Sequence, residues 1–176
     1  MTENEPETTI RAELPADESA VRALNEAAFE SAAEAQLVDI LRTAIVQPEV
    51  QVAQVALRAG VVVGHALWTP VRVGDGGDEL FMALGPMAVL PGHQRSGVGA
   101  ALIAAGVEGC RELGARALFV LGHSDYYPRF GFEPAAPHGC YFQSERFAAH
   151  FFVRLLAPDG LSASSEVHYH PAFDGV

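Results

Sequence analysis

The chain has 176 residues, 49% of them hydrophobic and 19% charged, enough apolar material for one sizeable core and too much for a disordered chain. Against 22 Asp and Glu stand 11 Lys and Arg, a formal net charge of −11 at pH 7, which argues against a protein that grips nucleic acid by neutralising phosphates. Cys110 and Cys140 form no C-x-x-C pattern, so neither a disulfide framework nor a metal motif is expected, and both read as thiols of a reducing compartment.

Residues 1–9 carry three Glu and no Lys or Arg, the reverse of a signal peptide's basic start, and no apolar run approaches the roughly 20 residues of a membrane span. The expectation is one cytoplasmic domain over residues 1–176, without nucleic acid or membrane partners. Residues 8–14 alternate weakly, as a first strand does. Pro15, Asp17 and Glu18 then signal a helix start ahead of Val21, Leu24, Ala28 and Phe29. Residues 34–45 place Leu37, Leu41 and Ile45 at i, i+4 and i+8, a second helix.

After Pro48 the pattern changes to β-branched alternation at Val50, Val52, Val55 and Leu57. Arg58, Ala59 and Gly60 read as a turn, and the Val-rich run 61–73 as the returning strand of a hairpin, with Trp68 in its core. Residues 74–78 form a loop. Residues 79–90 are a third strand segment, interrupted by Gly85 and Pro86. Pro removes a ladder donor and Gly often marks a bulge, so a distortion is expected in mid-strand.

Directly after it, residues 91–101 read PGHQRSGVGAA. The small residues Ser96, Gly97 and Gly99 follow a strand and open a helix with apolar positions at Val98, Leu102, Ile103, Val107, Cys110 and Leu113. Such a turn leaves backbone N–H groups unpaired at the positive end of a helix dipole, a site for phosphate. Gly97 and Gly99 let the phosphate approach the main chain, and Arg95 adds a charge-assisted contact. The spacing is not that of a Walker loop, and the third glycine of the dinucleotide fingerprint is missing.

Gln94-Arg95-Ser96-Gly97-Val98-Gly99 matches the Q/R-x-x-G-x-G/A signature of the GNAT acyltransferases, and the chain resembles that family. Met87-Ala88-Val89-Leu90-Pro91 is similar to the strand before that loop. Tyr127-Pro128-Arg129-Phe130-Gly131-Phe132 resembles the family's Y-x-x-x-G-F segment, and residues 124–134 and the ending over about 147–173 are similar to a bacterial subgroup of predicted N-acetyltransferases. His123 departs from the Asp or Asn of many relatives.

The resemblance implies an α/β fold in which a mixed, mostly antiparallel sheet, flanked by helices, splays open between the strand ending at Val89 and the strand over 117–121. Acetyl-CoA would lie in that gap as cosubstrate, with no metal. The main chain of Met87, Ala88 and Val89 would pair with pantetheine, the Val89 N–H facing the thioester oxygen. Gln94 and the amides of Arg95, Ser96, Gly97, Val98, Gly99 and Ala100 would hold the pyrophosphate. Tyr127 would stand near the sulfur as general acid. Arg129 either reaches a CoA phosphate or only decorates its short helix.

The chemistry suits these residue types. An amine attacking a thioester passes through an oxyanion that a preorganised N–H stabilises, and the leaving thiolate takes a proton that a Tyr hydroxyl can supply. A lysine-like amine, with a pKa of about 10.4, must first lose a proton. Glu34 is the candidate base, with Glu30 and His123 behind it, although a carboxylate in a first turn also serves the helix dipole. Tyr126 and Tyr127 are adjacent, so one packs in the core while the other faces the cleft; spacing to Gly131 favours Tyr127 for the cleft.

Cys110 reads as a buried structural thiol. His168 and His170, with His138 and Cys140, make only a weak zinc pattern. The reading is an N-acetyltransferase acting on a primary amine of a small molecule or peptide by direct attack in a ternary complex. The alternative is a catalytically idle acyl-CoA-binding sensor or interaction module on the same fold. The acidic charge favours a cationic acceptor, and edge strands near the C-terminus favour a homodimer.

Overall fold

The computed structural model describes residues 7–29, 31–44, 50–161 and 165–175; Glu30, Ile45 and Pro48 lie outside them. Between β1 (Thr9–Ala12) and β2 (Val52–Arg58) run the helices α1 (Glu18–Phe29) and α2 (Ala33–Ala44). Arg11 of β1 holds Asp17 with both terminal guanidinium nitrogens, at 2.6 and 2.9 Å, and the Leu14 N–H donates to the same carboxylate at 2.8 Å. These bonds hold the Asp17 carboxyl down at about 2 and fix the approach to α1. Val21 of α1 and Leu37, Val38 and Leu41 of α2 pack on the sheet through Val55 and Leu67. Phe29 departs from the expected apolar stripe: it is the last residue of α1 and is 38% exposed, while Asn25 takes the buried position and donates its amide to the Val21 carbonyl at 2.9 Å.

β2 returns into β3 (Val61–Val73) through Ala59 and Gly60, whose φ angles of 49° and 77° give the two-residue turn that suits a twisted hairpin. β3 pairs antiparallel with β4 (Phe81–Val89). The chain then crosses over through α3 (Val98–Glu112) to β5 (Ala117–Leu121), which pairs parallel with β4. Two short strands come next, β6 (Glu133–Pro134) and β7 (Cys140–Tyr141), and then two longer ones, β8 (Phe151–Leu155) and β9 (Ser165–His168). The main path is β1-β2-β3-β4-β5-β8-β6, with β9 on the far end of β3 and β7 beside β9. The stretch expected to hold C-terminal strands begins and ends as 3-10 helix, Glu145–His150 and Pro171–Gly175; at the second, Pro171 has no N–H to give a ladder. Tyr169 and His170 therefore lie outside the strand.

Two departures from regular pairing open the sheet in its middle. Ala66 pairs with Met87 but Trp68 with Leu84, so Gly85 and Pro86 together oppose the single residue Leu67, a β-bulge at the expected distortion. Parallel pairing of β4 with β5 runs from Phe81↔Ala117 to Leu84↔Val120 and ends there. Beyond the bulge the two strands part and leave a fork between them.

α3 lies closely against the sheet on the face that carries Trp68 because two side chains are missing. A Cβ on Gly106 would stand 2.0 Å from Trp68 Nε1, and one on Gly64 2.8 Å from Val98 Cγ1. Leu102, Ile103, Val107 and Cys110 fill the remaining contact, whereas Leu113 falls just past the helix and is 38% exposed. Gly106→Ala would gain up to about 1 kcal/mol of helix propensity on an exposed face. Here the indole cannot yield, so overpacking is expected to dominate and lower stability by about 1–3 kcal/mol, as read by urea denaturation; an unchanged midpoint would contradict this packing.

Candidate active site

The fork exposes backbone in a regular way. The Leu90 N–H donates to the Val63 carbonyl at 2.9 Å, in the register that sets Val89 opposite Gly64 and Ala88 opposite His65. Antiparallel ladders alternate hydrogen-bonded and non-bonded pairs. Ala88 thus turns its N–H and C=O toward β3, while Val89 and Met87 turn theirs away, toward the edge that β5 has left. Of the three residues expected along the pantetheine, two present their backbone to the gap. The Val89 carbonyl takes a bond from Gln94 Nε2 at 3.2 Å.

Past β4, the loop into α3 is held from outside and from within. Gly97 is the N-cap, with φ of 87°, a conformation that glycine adopts without steric cost. Arg95 also has positive φ, 57°, which a non-glycine residue adopts rarely. Ser96 Oγ donates to the His93 carbonyl at 2.6 Å, and Arg58 at the end of β2 donates to the Ser96 carbonyl at 2.8 Å. Helical bonding begins with the Ala101 N–H on the Gly97 carbonyl. The N–H groups of Val98, Gly99 and Ala100 are therefore left over by the helix and available to an anion. A side chain at Gly97 would meet nothing within 4 Å; the space above the loop is free.

That space is a recess of about 770 Å³ bordered by Arg95, Gly97, Ala100, His123, Tyr126 and Arg129, with Asp125 and Phe130. The Arg129 guanidinium lies 4.7 Å from the centre of the Tyr126 ring, so Arg129 both stacks and faces the recess. Two arginines thus border one hollow in a chain of net charge −11. The Tyr126 hydroxyl reaches over the start of α3, 2.5 Å from where a Cβ on Gly99 would be.

Of the two adjacent tyrosines, then, it is Tyr126 that lines the recess, and Tyr127 turns inward. Tyr127 is 8% exposed and shares a cluster with Leu84, Val120, Phe132 and Phe152; a Cβ on Gly122, just past β5, would lie 2.3 Å from its ring. Its place is at the closed end of the fork, where Leu84 and Val120 make the last β4–β5 pair. Burial, with the neighbouring Tyr126 phenol, pushes its hydroxyl up to about 12. The 3-10 helix Tyr127–Phe130 ends on Gly131, whose φ of 76° closes the turn.

Glu34 stands in the first turn of α2, where the Ser31 hydroxyl donates to its carboxylate at 2.6 Å and accepts the Ala33 N–H at 3.2 Å. That is a helix cap. His123 borders the recess. The residue that local patterns could not reveal is Arg58: it reaches Ser96 from 38 positions earlier in the chain, where sequence reads only the start of a turn.

Residues 18–132 match the model of the acetyltransferase (GNAT) family. The chain belongs to that family. It is 34% identical to the uncharacterized N-acetyltransferase YhbS of Escherichia coli K12 over 170 residues, 94% of this chain and 98% of that protein. With YjhQ, another uncharacterized N-acetyltransferase of that strain, it shares 40% identity over 122 residues, 68% of this chain and 66% of that protein's length. The crystal structure of Escherichia coli YhbS in complex with CoA superposes with a TM-score of 0.88 at 32% identity, covering 99% of this chain and 96% of that one. A GNAT acetyltransferase from Brucella melitensis, solved with acetyl-CoA, gives 0.78 at 34% identity over 96% and 99%. The mixed sheet flanked by helices is the fold these proteins share.

Both thiols of this GNAT chain are sealed. Cys110 lies on the buried face of α3 and Cys140 in β7 beside β9, 0% and 1% exposed. Burial raises both thiols, Cys110 to about 12, so neither is a nucleophile at neutral pH. A disulfide reagent such as DTNB at pH 8 is expected to label neither in the native protein and both after denaturation; rapid native labelling of Cys110 would contradict the packing of α3.

Proposed function

We propose that this GNAT protein transfers the acetyl group of acetyl-CoA to a primary amine of a small molecule or peptide, by direct attack within a ternary complex. The observation that carries the reading is the alignment of the fork with the loop: the outward-facing backbone of Met87 and the Val89 N–H on β4 lead straight to three unpaired N–H groups at the start of α3. A pantetheine arm is extended and carries amides, so it can pair with Met87 and Val89 as a missing strand would. Its pyrophosphate then falls at Val98, Gly99 and Ala100, beside Arg95. The CoA complex of YhbS and the acetyl-CoA complex of the Brucella protein support the same cofactor here.

This direction sets the acyl end. With the pyrophosphate anchored past Leu90, the thioester lies toward the bulge, nearer the Met87 N–H than the Val89 N–H. Met87 rather than Val89 is then the donor to the developing oxyanion, an interaction typically worth ~3 kcal/mol. The neutral amine nitrogen bonds to the carbonyl carbon and gives up one proton to water, the carbon–sulfur bond breaks, and the thiolate takes a proton. Tyr127, buried at the closed end of the fork, is the proposed donor. Burial keeps it protonated, as a general acid must be.

A thiol-release assay over a panel of primary amines tests the activity. Tyr127→Phe is expected to lower kcat by about 10²- to 10⁴-fold with acetyl-CoA affinity unchanged; unchanged kcat, with chemistry rate-limiting, removes Tyr127 from the mechanism. The pH profile carries a second mark. The rate should rise as the acceptor amine loses its proton, and Tyr127, held at about 12, should impose no falling limb below about pH 10. Ser31 already engages Glu34 as the cap of α2, so Glu34→Gln is expected to lower stability more than kcat; a large kcat loss with a shifted pH profile would instead make Glu34 the base. Gly99→Val, which sets a branched side chain into the space of the Tyr126 hydroxyl at the start of α3, should weaken CoA binding at least about tenfold in a folded protein.

A further inference from the structure

We infer that the C-terminal segment, through Phe173 and Tyr169, walls the acyl end of the cleft and restricts the donor to short acyl chains. The inference rests on the acetyl-CoA reading and concerns what that reading leaves open, the length of acyl group admitted. A Cβ on Gly85 would stand 3.3 Å from Phe173 Cε1. The ring therefore lies on the bulge itself, where β4 leaves β5 and where the thioester would arrive.

Phe173 is fixed from several sides. Its N–H donates to the His170 carbonyl at 3.0 Å, and its ring packs against the cluster formed by α1, α2, β2 and β3. Tyr169 meets it edge-on, with ring centres 5.2 Å apart, and Tyr169 in turn meets Phe142 at 5.0 Å. Phe142 packs on Phe151, the first residue of β8, which is the other neighbour of β5. A row of aromatic rings thus runs from the β4 bulge to β8, across the closed end of the fork.

The fork is enclosed at that end from both faces. Tyr127 belongs to the cluster under α3, Phe173 to the cluster under α1 and α2. The Tyr169 hydroxyl is buried with no hydrogen-bond partner. An acetyl group needs room for one methyl. A longer chain must displace Phe173, which its own packing and hydrogen bond resist.

The test measures binding of CoA, acetyl-CoA, butyryl-CoA and octanoyl-CoA to the full chain by calorimetry, with no acceptor amine needed. The wild-type protein is expected to bind octanoyl-CoA at least about tenfold more weakly than acetyl-CoA, with butyryl-CoA between. Phe173→Ala and the milder Phe173→Leu should remove most of that penalty while leaving affinity for CoA itself unchanged, thermal melts confirming that both are folded. Tyr169→Phe, which keeps the ring, should keep the penalty. Equal affinity of the wild-type protein for all acyl chains, or a penalty that persists in folded Phe173 variants, would overturn the wall. Failure to bind CoA at all would overturn the acetyl-CoA reading, and the wall with it.

Discussion

The structure depends on the point at which β4 and β5 stop pairing. Leu84 and Val120 make the last pair, and the bulge at Gly85 and Pro86 turns the rest of β4 aside. Just past β5 the Gly122 N–H donates to the His150 carbonyl at 2.8 Å, so this end of the strand stays with β8 while β4 turns away. Backbone groups at Met87 and Val89 are left facing a gap in the interior of a sheet, where an unpaired peptide group is costly. An extended, amide-bearing ligand relieves that cost. The same bulge sends the chain into the loop whose helix offers further free N–H groups, so one irregularity sets both halves of the proposed cofactor cleft.

Electrostatics act at two ranges. The net charge of −11 would oppose an anionic cofactor at a distance, but exposed charges are screened over about 8 Å at physiological salt. Inside the recess the balance is local: Arg95 and Arg129 face it, and Arg58 braces the loop by its bond to Ser96. The acidic remainder of the surface favours the other proposed substrate, an amine that arrives as a cation. A basic pocket in an acidic chain is the pattern expected of a protein that brings a polyanion and a cation together.

The local features of the proposed cofactor cleft were legible from sequence because they lie close together in the chain. Gly97, Gly99 and Arg95 stand within a few positions, Gly85-Pro86 marks the bulge, and hairpin, loop and helix come in order. What depended on tertiary packing was hidden. Adjacent Tyr126 and Tyr127 differ in sequence only in spacing to Gly131, and it is the packing against Gly122 and Phe132 that turns Tyr127 inward and leaves Tyr126 over Gly99. Arg58 looked like part of a turn because its partner lies 38 residues away. Glu34 read from sequence as a candidate base or as a first-turn partner of the helix dipole, and the fold adds a hydrogen bond from Ser31 that the pattern did not show. Phe173 and Tyr169 carry no motif; only the fold brings a C-terminal turn to the bulge.

The central claim is that the fork receives pantetheine, and it is tested most directly by the thermal shift of the purified protein with acetyl-CoA and CoA, against ATP, which shares the adenine and phosphates but lacks the arm. Saturation at about 100 times Kd should add about 2.7 kcal/mol of stability, so the account predicts a clear rise in Tm with acetyl-CoA and with CoA and none with ATP. No rise with either, in protein shown to be folded and free of copurified CoA, would contradict it.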